Sequence, residues 1–125
     1  MHPKRELVIH KQENDEVNQA LIIQVMDDPG PGGAHHHYRV EGPITTLKSQ
    51  DLHFQWGHVD KDGVNGITND ALLAILEDRL ASYQGGSFHC FDNESALHHI
   101  RTALFHLKQR TRKRMDRGVE GRYVA

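Results

Sequence analysis

Residues 63–80 read Gly-Val-Asn-Gly-Ile-Thr-Asn-Asp-Ala-Leu-Leu-Ala-Ile-Leu-Glu-Asp-Arg-Leu, and no other stretch restricts the fold as much. Two glycines punctuate a turn. Thr68 follows with a hydroxyl suited to accept a free first-turn amide. Asp70 then falls where the helix dipole favours negative charge. Leu72, Ile75, Leu76, Arg79 and Leu80 recur at i, i+3, i+4, i+7 and i+8, one helical face with an Arg stem at its edge. Strand and loop precede this stretch, and helix follows it. The expected fold is therefore α+β: a small N-terminal antiparallel β-sheet in residues 1–62, followed by a C-terminal antiparallel two-helix hairpin in residues 63–125.

Residues 1–16 are mostly polar and expected to be loosely held, with a short strand at 7–9. Residues 20–26 form an apolar run in which Ile22, Ile23 and Val25 favour a strand. Pro29-Gly30-Pro31-Gly32-Gly33 ends it in a loop. Residues 35–40 alternate, with His36, Tyr38 and Val40 on one face; Leu52, Phe54 and Trp56 alternate in the same way. A sheet this small needs a partner layer, which the helical half is expected to supply.

The first helix is expected over about residues 69–83, roughly 22 Å. The second begins near Asp92 or Asn93, either of which could cap it, and ends at Gly118. Its stripe is Leu97, Ile100, Leu104, Leu107 and Thr111. Antiparallel packing sets the start of the first helix opposite residues 107–111. The second helix then overshoots by about 10 residues, roughly 15 Å. That overshoot carries Arg110, Arg114 and Arg117 on one face, expected beside the 63–68 turn and the open amides of the first helix.

From Lys108 to Arg117 there are six basic residues and one acid, Asp116, in a chain whose formal net charge is −2. A local basic patch on an acidic protein suits a compact anion better than a long polyanion, so no nucleic-acid polymer is expected as partner. The bland alternative is a solvated, dipole-matched helix end. The core is thin: the aromatics are four Phe, three Tyr and Trp56. One apolar stripe on a long helix then points to subunits completing the core together. Cys90 is the only cysteine, which excludes an intrachain disulfide and fits a reducing compartment. No apolar run approaches a membrane span and no signal-peptide core is visible, so a cytoplasmic protein is expected.

The inter-helix loop brings Tyr83, Phe88 and Phe91 to the start of the second helix, where a ring and open amides suit a nucleotide. Phe88 and Phe91 are expected to plug the hairpin end as core, leaving Tyr83 as the available ring. Asp60-Lys61-Asp62-Gly63-Val64-Asn65-Gly66-Ile67 imitates a calcium loop but fails. Val64 stands at a ligand position, Gly66 is one place late, and Ala71 replaces the closing Glu. His89, Cys90, His98, His99 and His106 show no familiar metal spacing. Neither a metal nor another cofactor is expected, and no nucleophile–base arrangement points to catalysis.

Gly63-Val64-Asn65-Gly66-Ile67-Thr68-Asn69-Asp70-Ala71-Leu72-Leu73-Ala74-Ile75, Tyr83-Gln84-Gly85, Cys90 with Asn93-Glu94, Arg110-Thr111-Arg112-Lys113-Arg114 and Arg117-Gly118-Val119-Glu120-Gly121 together resemble a known hairpin. It is shared by the phage Thoeris anti-defence proteins and the anti-CBASS cyclic-nucleotide sponges. The upstream segment resembles the first of these, whose members add strands before the hairpin. Three positions depart from the pattern: Tyr83 in place of Phe, Phe91 in place of a basic residue, and Gly86-Ser87 in place of Gly-Pro.

The resemblance implies a phage immune-evasion sponge, not an enzyme, that sequesters immune signal nucleotides intact in the infected host's cytosol. The signals would be glycocyclic ADP-ribose and, in hexameric members, cyclic trinucleotides. By motif position, Tyr83 and Asn93 of one subunit and Arg110 with Arg114 of another would hold glycocyclic ADP-ribose. Asn65, Gly66, Thr68 and Asn69 would line a second nucleotide pocket around a three-fold axis. Self-association as a dimer or hexamer is implied. The alternative is a small DNA- or RNA-binding regulator using the basic helix, although the nine-residue loop is long for a helix-turn-helix.

Overall fold

Alternating apolar residues on four short segments build the N-terminal half. In the computed structural model, which describes residues 3–119, the chain divides into two compact units, Met1–Gly66 and Ile67–Ala125. In the first, strands β1 (Arg5–Leu7), β2 (Ile22–Val25), β3 (His37–Glu41) and β4 (Gln50–His53) form an antiparallel sheet in the order β1-β2-β3-β4. The pairings Leu7↔Ile23, Val25↔Tyr38 and Tyr38↔Leu52 put the apolar residues on one face. Glu6↔Gln24, Gln24↔Arg39 and Arg39↔Asp51 occupy the other. A one-residue slip would exchange the two faces, so the alternation fixes the register. The first strand lies two residues earlier than the sequence suggests, because Ile9–Lys11 closes into a 3-10 turn.

Two short helices were not legible in the sequence. Helix α1 (Glu16–Ala20) takes the start of the apolar run, and Asp15 caps it by accepting the Asn18 amide at 3.0 Å. Helix α2 (Val59–Asp62) takes the acidic residues of the failed calcium loop.

The Pro/Gly loop after β2 is held by one carboxylate. Asp27 accepts the backbone amides of His36 at 3.0 Å and His37 at 3.2 Å. Burial works to raise this carboxyl, but the two amides and the neighbouring His35 and His36 rings outweigh it and hold it below its ordinary value. Gly30 lies against the Trp56 ring, which a Cβ there would displace; that ring stands edge-on to His36 at 4.8 Å between centroids. On the polar face His37 donates to Asp51 at 2.7 Å and Arg39 does so at 3.0 Å. The core beneath is thin, with Val25 and Met26 the side chains fully removed from solvent.

The second unit is the expected hairpin, α3 (Asn69–Gln84) and α4 (Phe91–Asp116). Thr68 caps α3 as expected, its Oγ accepting the Ala71 amide at 3.0 Å. The cap of α4 is Cys90, earlier than Asp92 or Asn93: its Sγ accepts the Asn93 amide at 3.4 Å. Gly118 adopts φ +70° and closes a Schellman turn, with Gly118 N–H on Met115 O and Val119 N–H on Arg114 O, both at 3.0 Å.

The buried face of α4 is the expected one, centred on Leu97. That of α3 is rotated from expectation. Leu72 and Leu80 of the expected face are half-buried, joined by Leu73, Glu77 and Gln84, while Ile75 is 58% exposed and Leu76 and Arg79 are also open. Glu77 explains the rotation, because it takes Arg101 of α4 at 3.0 Å. A polar residue thus holds an inward position, and apolar ones are left outside.

Candidate functional site

The Glu77–Arg101 pair also sets the register of the hairpin. Moving back along α3 matches moving forward along α4, so Asn69 is level with about Gln109. The remaining residues of α4, to Asp116, overshoot by about 10 Å, shorter than expected. That end is where the cations collect.

His106, Gln109, Arg110, Lys113, Arg114 and Arg117 recur at alternating intervals of three and one along α4 and its C-terminal cap, and so form one stripe. They line a shallow concavity of 410 Å³. The structure therefore brings together Arg110, Arg114 and Arg117 as the spacing implied. It adds His106, Gln109 and Lys113, which the same spacing could have supplied. The C-terminal dipole of α4 opposes an anion here with roughly half a charge, while the side chains bring several whole ones, so the local field is positive. Arg110 and Lys113 are exposed. Arg114 differs: it is 7% exposed and its Nη2 donates to Val119 O at 2.9 Å.

The other end of the hairpin carries Tyr83 and Asn93. Tyr83 is partly exposed; its ring stands perpendicular to Phe88 at 6.4 Å, and its hydroxyl accepts from Arg79 at 3.0 Å. Asn93 is half-buried and donates to Phe88 O at 3.4 Å. Gln84 Oε1 accepts the Cys90 amide at 3.1 Å and ties the loop to α3. The expectation that Phe88 and Phe91 plug this end as core is overturned: they are 74% and 70% exposed. Phe91 is the first residue of α4, and the backbone at Phe88 and Cys90 is tied down by the side-chain amides of Asn93 and Gln84. A sulfur is a weak acceptor, so the first turn of α4 is less fully capped than that of α3. The result is three rings beside a lightly capped helix start.

Asn93 and Arg110 are seventeen positions apart on α4, about 25 Å. One hairpin therefore does not unite its ring end with its cation end.

The four residues expected in a second pocket have structural roles. Asn65 Oδ1 accepts Trp56 N–H at 2.8 Å and its Nδ2 donates to Trp56 O at 2.6 Å. Gly66 backs onto Phe54, where a Cβ would come within 2.4 Å of the carbonyl carbon. Thr68 is the α3 cap and Asn69 the first helical residue. Among the described residues, no helix is long and apolar enough to cross a membrane.

Comparison with known proteins gives the hairpin an ancestry. Residues 52–112 match the family described as Acb2/Tad1, hairpin domain, a segment that takes in the last two residues of β4, all of α2 and α3, and α4 as far as Arg112. The chain is also similar to Thoeris anti-defense 1 of Bacillus phage SBSphiJ7, 39% identical over 74 residues. That alignment takes in 59% of this chain and 52% of the relative, so the chain spans about half the relative's length. The rotated α3 face, the exposed tip and the basic end all lie on this segment or adjoin it. The hairpin of this chain, residues 52–112, belongs to the Acb2/Tad1 hairpin-domain family.

Proposed function

We propose that this protein is a phage immune-evasion sponge that binds a bacterial immune signal nucleotide and holds it without cleaving it. The observation that carries this is the division of labour along the hairpin: rings beside a lightly capped helix start at one end, uncovered cations at the other. A nucleotide needs both, a flat partner for the base and positive charge for the phosphates. The relative named Thoeris anti-defense 1 supports the anti-defence assignment.

The preferred ligand is glycocyclic ADP-ribose, with cyclic oligonucleotides as a second class. The pocket is completed by two chains: Tyr83 and Asn93 from one, and Arg110 with the wall formed by Arg114 from the other. The exposed Ile75, Leu76 and Phe105 support this self-association, since a second hairpin would remove them from water. A dimer satisfies the ring-to-cation geometry, and a hexamer is a trimer of such dimers.

Titration calorimetry with glycocyclic ADP-ribose tests the assignment. Arg110→Ala should weaken binding by about 1.5–3 kcal/mol, the worth of a charge-assisted hydrogen bond. The mutation lies on an exposed helix position and should leave the fold intact. Wild-type affinity in a folded Arg110→Ala protein would remove Arg110 from the site.

A further inference from the structure

We infer that Asn65 is a site of spontaneous, one-way modification: attack by the Gly66 backbone nitrogen converts its carboxamide to a carboxylate, and the Trp56 backbone holds that reaction in check while the turn is closed. The inference does not depend on the sponge reading.

The sequence selects the site. Of the five asparagines in the chain, Asn65 alone is followed by glycine. A side chain on the following residue crowds the approach of its backbone nitrogen to the asparagine Cγ, and glycine has none. The reaction balances with water alone. The Gly66 nitrogen gives up its proton and bonds to Asn65 Cγ. The Cγ–Nδ2 bond breaks, and Nδ2 leaves as ammonia. Water then opens the resulting five-membered imide at either carbonyl, which leaves aspartate or isoaspartate at position 65. Asn65 is exposed, so water reaches the imide.

The structure supplies the restraint. Asn65 Oδ1 accepts Trp56 N–H at 2.8 Å, and Nδ2 donates to Trp56 O at 2.6 Å. One residue thus engages both ends of the carboxamide, fixes its plane and keeps the leaving nitrogen in a hydrogen bond. The backbone is held as well: Asn65 N–H donates to Gln55 Oε1 at 2.9 Å, and Gln55 Nε2 donates to Gly63 O at 2.7 Å. Cyclisation requires the carboxamide to leave Trp56 and turn toward the Gly66 nitrogen, which is a local opening of the turn. Packing also keeps the reactive neighbour in place, because a Cβ on Gly66 would run into the Phe54 carbonyl carbon.

The product cannot re-form the lock. A carboxylate has no donor to offer Trp56 O, and it sets oxygen against oxygen where Nδ2 stood at 2.6 Å. Isoaspartate also lengthens the main chain by one atom. Asn65 and Gly66 end the sheet unit, directly before the hairpin unit begins at Ile67. The modification therefore falls on the joint in the chain between the two.

The experiment incubates the full chain in mildly alkaline buffer, folded or unfolded in urea. Mass spectrometry follows the tryptic peptide 62–79, and methyltransferase labelling reads isoaspartate. Position 65 should convert at least about tenfold more slowly in the folded protein than in urea, because the hydrogen bonds of the lock must open first. Gln55→Ala leaves Asn65-Gly66 intact, removes both Gln55 bonds, and should convert about fivefold faster than folded wild type. Gln55→Glu keeps an acceptor for Asn65 N–H and loses the donor to Gly63 O, so its rate should fall between the two. Purified converted protein should melt at lower temperature with altered Trp56 fluorescence.

Equal rates in folded and unfolded wild type would overturn the lock. Wild-type rates in both Gln55 variants would overturn the gating by the turn. In urea, no conversion at position 65, or faster conversion at Asn69, would overturn the choice of site. A converted protein that melts and fluoresces like wild type would overturn the one-way consequence.

Discussion

Replacing Asn65 separates a structural role from a ligand role at a position where the family resemblance suggests the second. Its side-chain amide accepts Trp56 N–H at 2.8 Å and donates to Trp56 O at 2.6 Å, while its own N–H goes to Gln55 Oε1 at 2.9 Å. Gln55 in turn donates to Gly63 O at 2.7 Å. The turn is thus pinned to the segment after β4 by a short circuit of bonds. Asn65→Ala removes the two side-chain bonds to Trp56. Each contributes a net 0.5–1.5 kcal/mol or so, and water can reach this site and replace part of the loss, giving about 1–2 kcal/mol. For a domain of this size that is a fall of about 5–10 °C in melting temperature. Asn65→Asp should cost more, because a carboxylate oxygen would then face the Trp56 carbonyl oxygen. Thermal denaturation followed by circular dichroism and Trp56 fluorescence reads both variants. An Asn65→Ala protein that melts within about 1 °C of wild type, yet no longer binds cyclic trinucleotides, would refute this reasoning and make the side chain a ligand contact.

Two further outcomes follow from the same geometry. Asp27 and Asp51 are both held below the ordinary carboxylate value of 3.8. For Asp27 the His36 and His37 amides prevail over burial; for Asp51 the His37 hydrogen bond leads, with Arg39 assisting. A depressed carboxyl stabilises the folded state above its unfolded pKa, and that stability disappears as pH falls through the lower folded value. The urea midpoint of the sheet unit should therefore decline below about pH 4, and Asp27→Asn with Asp51→Asn should flatten that decline. Among the described residues of the hairpin, Leu97 is the buried apolar side chain. Leu97→Ala should cost about 2–4 kcal/mol by denaturant unfolding, against less than about 1 kcal/mol for removing the partly exposed Arg101–Glu77 pair.

The division between sheet and hairpin was legible because its signals are local. Thr68 caps α3 through a side chain three residues from its target, and Gly118 ends α4 through a positive φ. The face shared by Arg110, Arg114 and Arg117 follows from helical spacing alone. What escaped depends on distant partners or weak chemistry. Asp92 and Asn93 are stronger cap candidates than Cys90 and stand just beyond it, so residue type alone points past the true cap. Counting apolar residues on α3 selects Ile75 and Leu76, whereas the hairpin turns Glu77 inward to meet Arg101. Phe88 and Phe91 looked like core because rings usually are; nothing local reveals that amide ties from Gln84 and Asn93 leave them outside. The burial of Arg114 beside the exposed Lys113 arises from the turn at Gly118, which a linear pattern does not encode.

The central claim is binding without cleavage. Incubating the protein with glycocyclic ADP-ribose, removing the free fraction, heating the complex and measuring what is released tests it most directly. The account predicts that the nucleotide disappears from solution in proportion to protein and returns chemically unchanged on heating. Release of hydrolysis products would make the protein an enzyme, and a nucleotide that stays free throughout would contradict the account at its root.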